Sequence, residues 1–226
     1  MTCSIEKNAL CRTIRQLQTV PKTEPVAMLV RHSIRDGIPD GTTGIDVPLN
    51  ELGIYWCHEL RKAMHGRIKS VHSSPVRRCM QTAEILTQSA TNECLVSVDR
   101  HLGAPGVYVL DEQMSWGNWL KLGNDGVIQH LISGEGALPG MADPSEAAHR
   151  LIKHMLASIA SQPGMHVFVS HDSIVAPTVA RVIGQKMTQN QWPEFLDAAL
   201  IWRNENFIMV AYRDTVSQTL IDLPGR

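Results

Sequence analysis

Three short runs of apolar or β-branched residues each lead into side chains able to do phosphoryl chemistry. Val26-Ala27-Met28-Leu29-Val30 runs into Arg31-His32, the run from Ile68 to His72 is followed by Arg78, and His166-Val167-Phe168-Val169 leads to His171-Asp172. Runs of this length and composition suit strands buried in a parallel sheet. Ligands of open α/β sheets bind beyond the carboxyl ends of the strands. His32, Arg78 and His171, successively 46 and 93 positions apart, are therefore expected to meet at one sheet edge. The residue types define the chemistry. A phosphomonoester carries close to two negative charges at neutral pH, and guanidinium forks meet such oxygens bidentately without changing protonation; Arg31, Arg35 and Arg78 are the candidates. A neutral imidazole, here His32, can attack phosphorus and split one hard displacement into two. Asp172 is the candidate acid that protonates the leaving oxygen and then takes a proton from water. Asp172 could equally cap a helix starting near Ser173, whose N-terminus would itself favour phosphate. Arg35 could instead pair with Asp36 or Asp40.

The elements needed to position these groups can be read from pattern. Residues 4 to 19 form an amphipathic segment ending before Pro21, expected to be a helix that caps the domain or pairs subunits. Asp36 to Pro48, rich in glycine and proline, reads as a loop and one wall of the pocket. Leu52, Trp56, Leu60, Met64 and Ile68 recur every four residues and predict a helix with one buried stripe. A helix from Val76 to Gln88 should turn Cys79, Ala83 and Leu86 inward and carry Arg78 in its first turn. Within residues 103–140, Trp116 and Trp119 sit among Gly117, Gly123, Gly126, Gly134 and Gly136, which predicts a broken helical insertion over the active site, selecting substrate or simply packing. Asp143-Pro144-Ser145-Glu146 is a capping box ahead of Ala147, Leu151, Met155 and Ile159. A helix from Ser173 to Ile183 should end at Gly184, and Ala198 to Trp202 with Phe207 to Tyr212 should form a hairpin at the sheet's edge.

Three segments then resemble the signatures of one family. Leu29-Val30-Arg31-His32-Ser33-Ile34-Arg35, Ser73-Ser74-Pro75-Val76-Arg77-Arg78-Cys79-Met80-Gln81-Thr82-Ala83 and Val169-Ser170-His171-Asp172 are similar to those of the histidine phosphatase superfamily, which includes phosphoglycerate mutases, fructose bisphosphatases, acid phosphatases and phytases. The resemblance covers about residues 26 to 183. It implies a phosphoglycerate mutase-like, three-layer α/β/α sandwich with a mostly parallel central sheet. It also implies hydrolysis of a phosphomonoester through a phosphohistidine on His32, with Arg31, Arg78 and His171 completing the phosphate pocket. Arg35 and Asp172 resemble features of the acid phosphatase branch. Two positions depart from the family: Ser33 replaces the usual glycine, and no clear glutamate follows Arg78 as in the mutase branch. Asp111 and Glu112 lie in the right stretch but in the wrong setting, so Asp172 is preferred as the acid. A phosphomutase and a non-catalytic phosphate-binding regulatory module are the alternatives.

Other patterns exclude classes. Cys94 and Arg100 have the Cys-x5-Arg spacing of cysteine-dependent phosphatases, but the residues between them include no glycine and alternate like a strand, and Asp99 would sit beside the dianion. The ten histidines give no His-x3-His pair, so neither a metal nor another cofactor is expected. A net charge of −1 argues against a nucleic-acid partner. The expected partner is a phosphorylated small molecule or phosphopeptide. Five cysteines without a Cys-x-x-Cys suggest a reducing compartment, and no run suits a signal peptide or a membrane span, so a cytoplasmic location is expected. With 43% hydrophobic content over 226 residues, the chain is expected to form a single domain, residues 1–24 being an N-terminal helical extension.

Overall fold

The computed structural model describes residues 9–39, 42, 44–64, 66–88, 95–159 and 162–220. Residues 4–8 of the expected first helix, Asp40 and Cys94 lie outside them. The elements in chain order are α1 (Ala9–Gln16), β1 (Pro25–Arg31), α2 (Glu51–Ala63), β2 (Ile68–Ser73), α3 (Arg77–Thr87), β3 (Val96–Val98), α4 (Glu112–Ser133), α5 (Pro144–Ser158), β4 (Gly164–Ser170), α6 (Asp172–Ile183), β5 (Ala198–Asn204), β6 (Phe207–Tyr212) and β7 (Thr215–Thr219).

All seven strands form one sheet in the order β3-β2-β4-β1-β5-β6-β7. The first four are parallel and the last three antiparallel. Alternation along β1 divides the core. Ala27 and Leu29 face one side with Phe168 and the buried faces of α4, α5 and α6. Val26, Met28 and Val30 face the other with Met165, Val167, Leu10 of α1, Leu60 of α2 and Leu86 of α3. This is the three-layer α/β/α arrangement with a mostly parallel centre that the resemblance implies. Among the described residues, no helix is long and apolar enough to cross a membrane.

Four local expectations need correction. The predicted hairpin is not at the edge: β5 pairs with β1, and β7 closes the sheet. β7 reads Thr215-Val216-Ser217-Gln218-Thr219, too polar for an apolar pattern to signal, as edge strands often are. The α2 stripe also differs. Leu52 is 50% exposed, Ile68 already belongs to β2, and the buried residues are Gly53, Cys57 and Leu60, with Met64 just beyond the helix. Four residues turn a helix by about 400° rather than 360°, so a strict four-residue repeat drifts off the core. The first helix ends at Gln16, and residues 17–19 form turns. Finally, α4 is one long helix broken once, at Gly123, whose left-handed φ of 68° admits the kink. The remaining glycines of that stretch do not break it.

α5 begins as its sequence dictates, with Asp143 Oδ1 accepting from the backbone N–H groups of Ser145 and Glu146 and Pro144 in its first turn. α1 packs on the α2 and α3 face of the sheet through Leu10. Thr13 donates to the Leu196 carbonyl, and Arg12 ion-pairs with the buried Asp197 at 2.9 Å.

The α2 assignment has a measurable consequence. Leu60→Ala should cost about 2–5 kcal/mol and Leu52→Ala no more than about 0.5 kcal/mol, compared by urea denaturation at neutral pH. Equal losses at the two positions would contradict the observed face.

Candidate active site

The register of the parallel strands brings the predicted residues together. Arg31 at the end of β1 pairs with Ser170 at the end of β4, and Ser73 at the end of β2 pairs with Val169. The ladder continues one step further, His32 N–H donating to Ser170 O (2.9 Å) and Ser74 N–H to Val169 O (3.0 Å). His32 and His171 thus leave neighbouring strands at the same level. Their ring centroids are 5.5 Å apart and nearly perpendicular.

Arg78, in the first turn of α3, lies between them. Its Nε–H donates to His32 Nε2 (2.9 Å), its Nη2 to His171 Nδ1 (3.2 Å) and its Nη1 to the Gly44 carbonyl (2.6 Å). Arg77, its neighbour, turns outward to the Asp46 carbonyl. A guanidinium only donates, so these contacts fix both tautomers. His32 carries its hydrogen on Nδ1, donated to Ser33 O at 2.8 Å, and presents the Nε2 lone pair. His171 carries its hydrogen on Nε2, facing the Ser74 hydroxyl at 3.1 Å. Both rings are buried. Burial first holds each well below the ordinary histidine value; for His32 the neighbouring His171 comes next and then Arg78 and Arg31, and for His171 the Arg78 cation comes next. Both imidazoles are therefore neutral.

Arg31 Nη2 ion-pairs with Asp172 Oδ2 at 2.8 Å, its Nη1 donates to Pro193 O, and its guanidinium lies 4.3 Å from the Phe195 ring centroid. Arg35 donates to the Asp36 backbone carbonyl, not to its carboxylate. The Nε–H groups of Arg31 and Arg35 are buried without an acceptor, unmet donors that an anion would satisfy. Asp172 is the first residue of α6 and not its cap: His171 occupies the cap position, and Asp172 Oδ1 accepts from the Ser173 N–H.

Ser33, at the family's glycine position, fits without strain. Its backbone lies outside the left-handed region, its hydroxyl donates to Gly53 O and its N–H to Thr82 Oγ1. Gly103 is required sterically, since a Cβ there would lie 2.6 Å from Ser74 Oγ and 2.7 Å from His171 Nε2. Cys79 touches His171 at 3.5 Å, but burial pushes its thiol up to about 12, which makes it inert rather than nucleophilic.

These groups open on a cavity of about 600 Å³. Arg31, His32, Arg35, Arg78, His171 and Asp172 all line it, as does Glu112 at the start of α4, which the sequence reading set aside. Asp111 caps α4 instead, accepting from Met114 N–H. The loop after His32 contributes Ile38, Thr42 and Ile45 to the wall, and α4 contributes Trp116 and Trp119. The pattern gave no signal for Phe195, 5.6 Å from the His32 ring centroid; it comes from the turn before β5, reachable only through strand pairing.

Among solved structures, a phosphoserine phosphatase from Entamoeba histolytica superposes with a TM-score of 0.61 at 16% identity, covering 84% of this chain and 97% of that one. A putative α-ribazole-5′-P phosphatase from Escherichia coli gives 0.57 at 16% identity, covering 88% and 99%. Bacillus stearothermophilus YhfR gives 0.56 at 17% identity, covering 85% and 98%. At such identities the likeness is one of fold. No curated protein matches in sequence. The model of the histidine phosphatase superfamily (branch 1) matches residues 27–203, a span that holds all three signature segments. The chain belongs to the histidine phosphatase superfamily, within branch 1.

Proposed function

We propose that this chain hydrolyses a phosphomonoester through a phosphohistidine on His32, with Asp172 as proton donor. The observation that carries the reading is a buried cation between two neutral imidazoles at the floor of a cavity, with Arg78 donating to both His32 and His171. Among the described residues, no carboxylate pairs with Arg78. Three guanidiniums face this floor, so the site lacks an anion rather than a cation. The substrate phosphate takes over the hydrogens of Arg78, which frees the Nε2 lone pair of His32 to attack phosphorus in line. Ser33 O steadies the Nδ1–H as the ring becomes cationic. Arg31, Arg35, Arg78 and His171 hold the equatorial oxygens. Asp172, ion-paired with Arg31 at rest, takes up a proton from solvent as Arg31 turns to the phosphate and gives it to the departing alkoxide; in the second half it accepts one from the water that attacks the phosphohistidine, and His32 is regenerated with release of phosphate. Glu112 lines the same cavity and is the competing donor.

His32→Ala should abolish release of inorganic phosphate from every ester; retained turnover would refute the nucleophile. Asp172→Asn should reduce kcat on alkyl phosphates by about 10²–10⁴-fold and on p-nitrophenyl phosphate far less, because nitrophenolate leaves with little help. If Glu112→Gln shows that contrast and Asp172→Asn does not, the acid is Glu112.

Neutral buried imidazoles also make folding pH-dependent. His32 and His171 have folded-state values below those of the unfolded chain, so as pH falls below about 6.5 the unfolded state takes up protons that the folded state refuses. Stability is lost in the acidic direction, by up to about 1.4 kcal/mol per pH unit for each ring. Urea titrations at pH 7 and pH 5.5 should show a smaller loss in His32→Gln than in the unsubstituted protein. The difference isolates His32 from His72 and His166, shifted the same way, and from His154, shifted the opposite way. Identical losses would mean that His32 is protonated in the folded protein.

A further inference from the structure

We infer that the esters this cavity accepts carry an apolar alcohol, aryl or long-chain alkyl, with no second anionic group. The inference rests on the phosphatase reading above and concerns the part of the cavity beyond the phosphate.

Floor and walls differ in chemistry. The floor is the cluster of arginines, histidines and Asp172. The walls are Ile38 and Ile45 from the loop after His32, Val76 beside α3, Val109, and Trp116 and Trp119 from α4. At the rim, Ile38, Ile45 and Trp116 are 37%, 46% and 44% exposed. Apolar surface of this kind gains free energy when an apolar group covers it.

The polar groups of the wall are few, Thr42, Ser115, Ser173 and Asn124 beside Glu112, and two of them are already engaged. The Thr42 hydroxyl already donates to Pro39 O and the Ser115 hydroxyl to Glu112 O. A sugar or glycerol moiety would therefore bury hydroxyls against indole and aliphatic carbon with few partners, which is costly. Glu112 places a carboxylate in the same wall and repels a carboxylate or second phosphate on the leaving group. Size points the same way. A cavity of about 600 Å³ holds a ligand far larger than a phosphoryl group, so a short alcohol would leave most of it unfilled.

A series of straight-chain monoalkyl phosphates, ethyl to octyl, each below its critical micelle concentration, separates binding from chemistry because the basicity of the leaving alkoxide is nearly constant. kcat/KM should rise about three- to four-fold per methylene until the cavity is filled. Octyl phosphate should exceed glycerol 3-phosphate and glucose 6-phosphate. In Trp119→Ala the octyl-to-ethyl ratio of kcat/KM should fall by about tenfold or more, the equivalent of at least two buried methylenes. Trp119 also packs against the core, so Trp116→Ser, at the rim, provides a second variant in which the ratio should fall in the same direction. A ratio that is flat or falling with chain length overturns the inference, as does preference for the polyol esters, while His32-dependent turnover leaves the phosphatase reading standing. If no ester releases phosphate, p-nitrophenyl phosphate included, the phosphatase reading fails and this inference fails with it.

Discussion

The site is organised by one buried guanidinium. Arg78 is 8% exposed, and each of its three nitrogens donates to a neutral acceptor: two imidazole nitrogens and a backbone carbonyl. A buried charge is tolerated when its donors find partners, and here three of the five N–H groups do so without the charge being neutralised. Much follows from that. Arg78 dictates which nitrogen of each histidine carries hydrogen, and its cation, added to the burial of both rings, disfavours their protonation. Through Gly44 it also draws the loop after His32 down over the pocket. A carboxylate in place of any of these acceptors would close the site to anions.

The sheet makes this convergence unavoidable. β4 lies between β1 and β2, so the loops leaving three adjacent parallel strands must share one small volume, whatever their separation in sequence. On the far side of β1 the chain reverses, and β5 runs antiparallel to it. The turn before β5 therefore arrives beside Arg31, with Pro193 accepting from its guanidinium and Phe195 stacked on it. That turn is held by Asp197, 1% exposed, which pairs with Arg12 of α1 and with Arg213. α1 thus supports the site without touching the cavity.

β1, β2, β4, the β5–β6 pair, α3, α5 and the three signature segments were legible because apolar strand runs, helix caps and short motifs are local signals. What resisted reading was set by tertiary context. Leu60 and Met64 face the core as the stripe predicts, but Cys57 joins them rather than Leu52, because helical phase is judged against a neighbour that the sequence does not name. Glu112 became a wall residue because α4 folds back over the pocket before kinking at Gly123, and five glycines in that stretch gave no indication of which one would bend. The absence of His-x3-His also concealed a cluster: His101 and His154 stack at 4.2 Å and both contact Asp99, although His154 lies 55 positions beyond it. Spacing rules find ligands that share an element, not ones that meet across two.

Asp172 shows how a single movement can serve two tasks in the proposed reaction. Oδ1 accepts from the Ser173 N–H and Oδ2 pairs with Arg31, so the carboxylate is tied to Arg31 before a substrate enters. Arg31 is also one of the groups assigned to the phosphate oxygens, and its Nε–H has no acceptor. When a dianion enters, the guanidinium is drawn towards the stronger charge, since two negative charges outbid one at similar range. That turn releases Oδ2 towards the ester oxygen while completing the clamp on phosphorus. In the proposed reaction, binding the substrate and freeing Asp172 become the same event, beside the Phe195 ring, whose centroid lies 4.3 Å from the guanidinium.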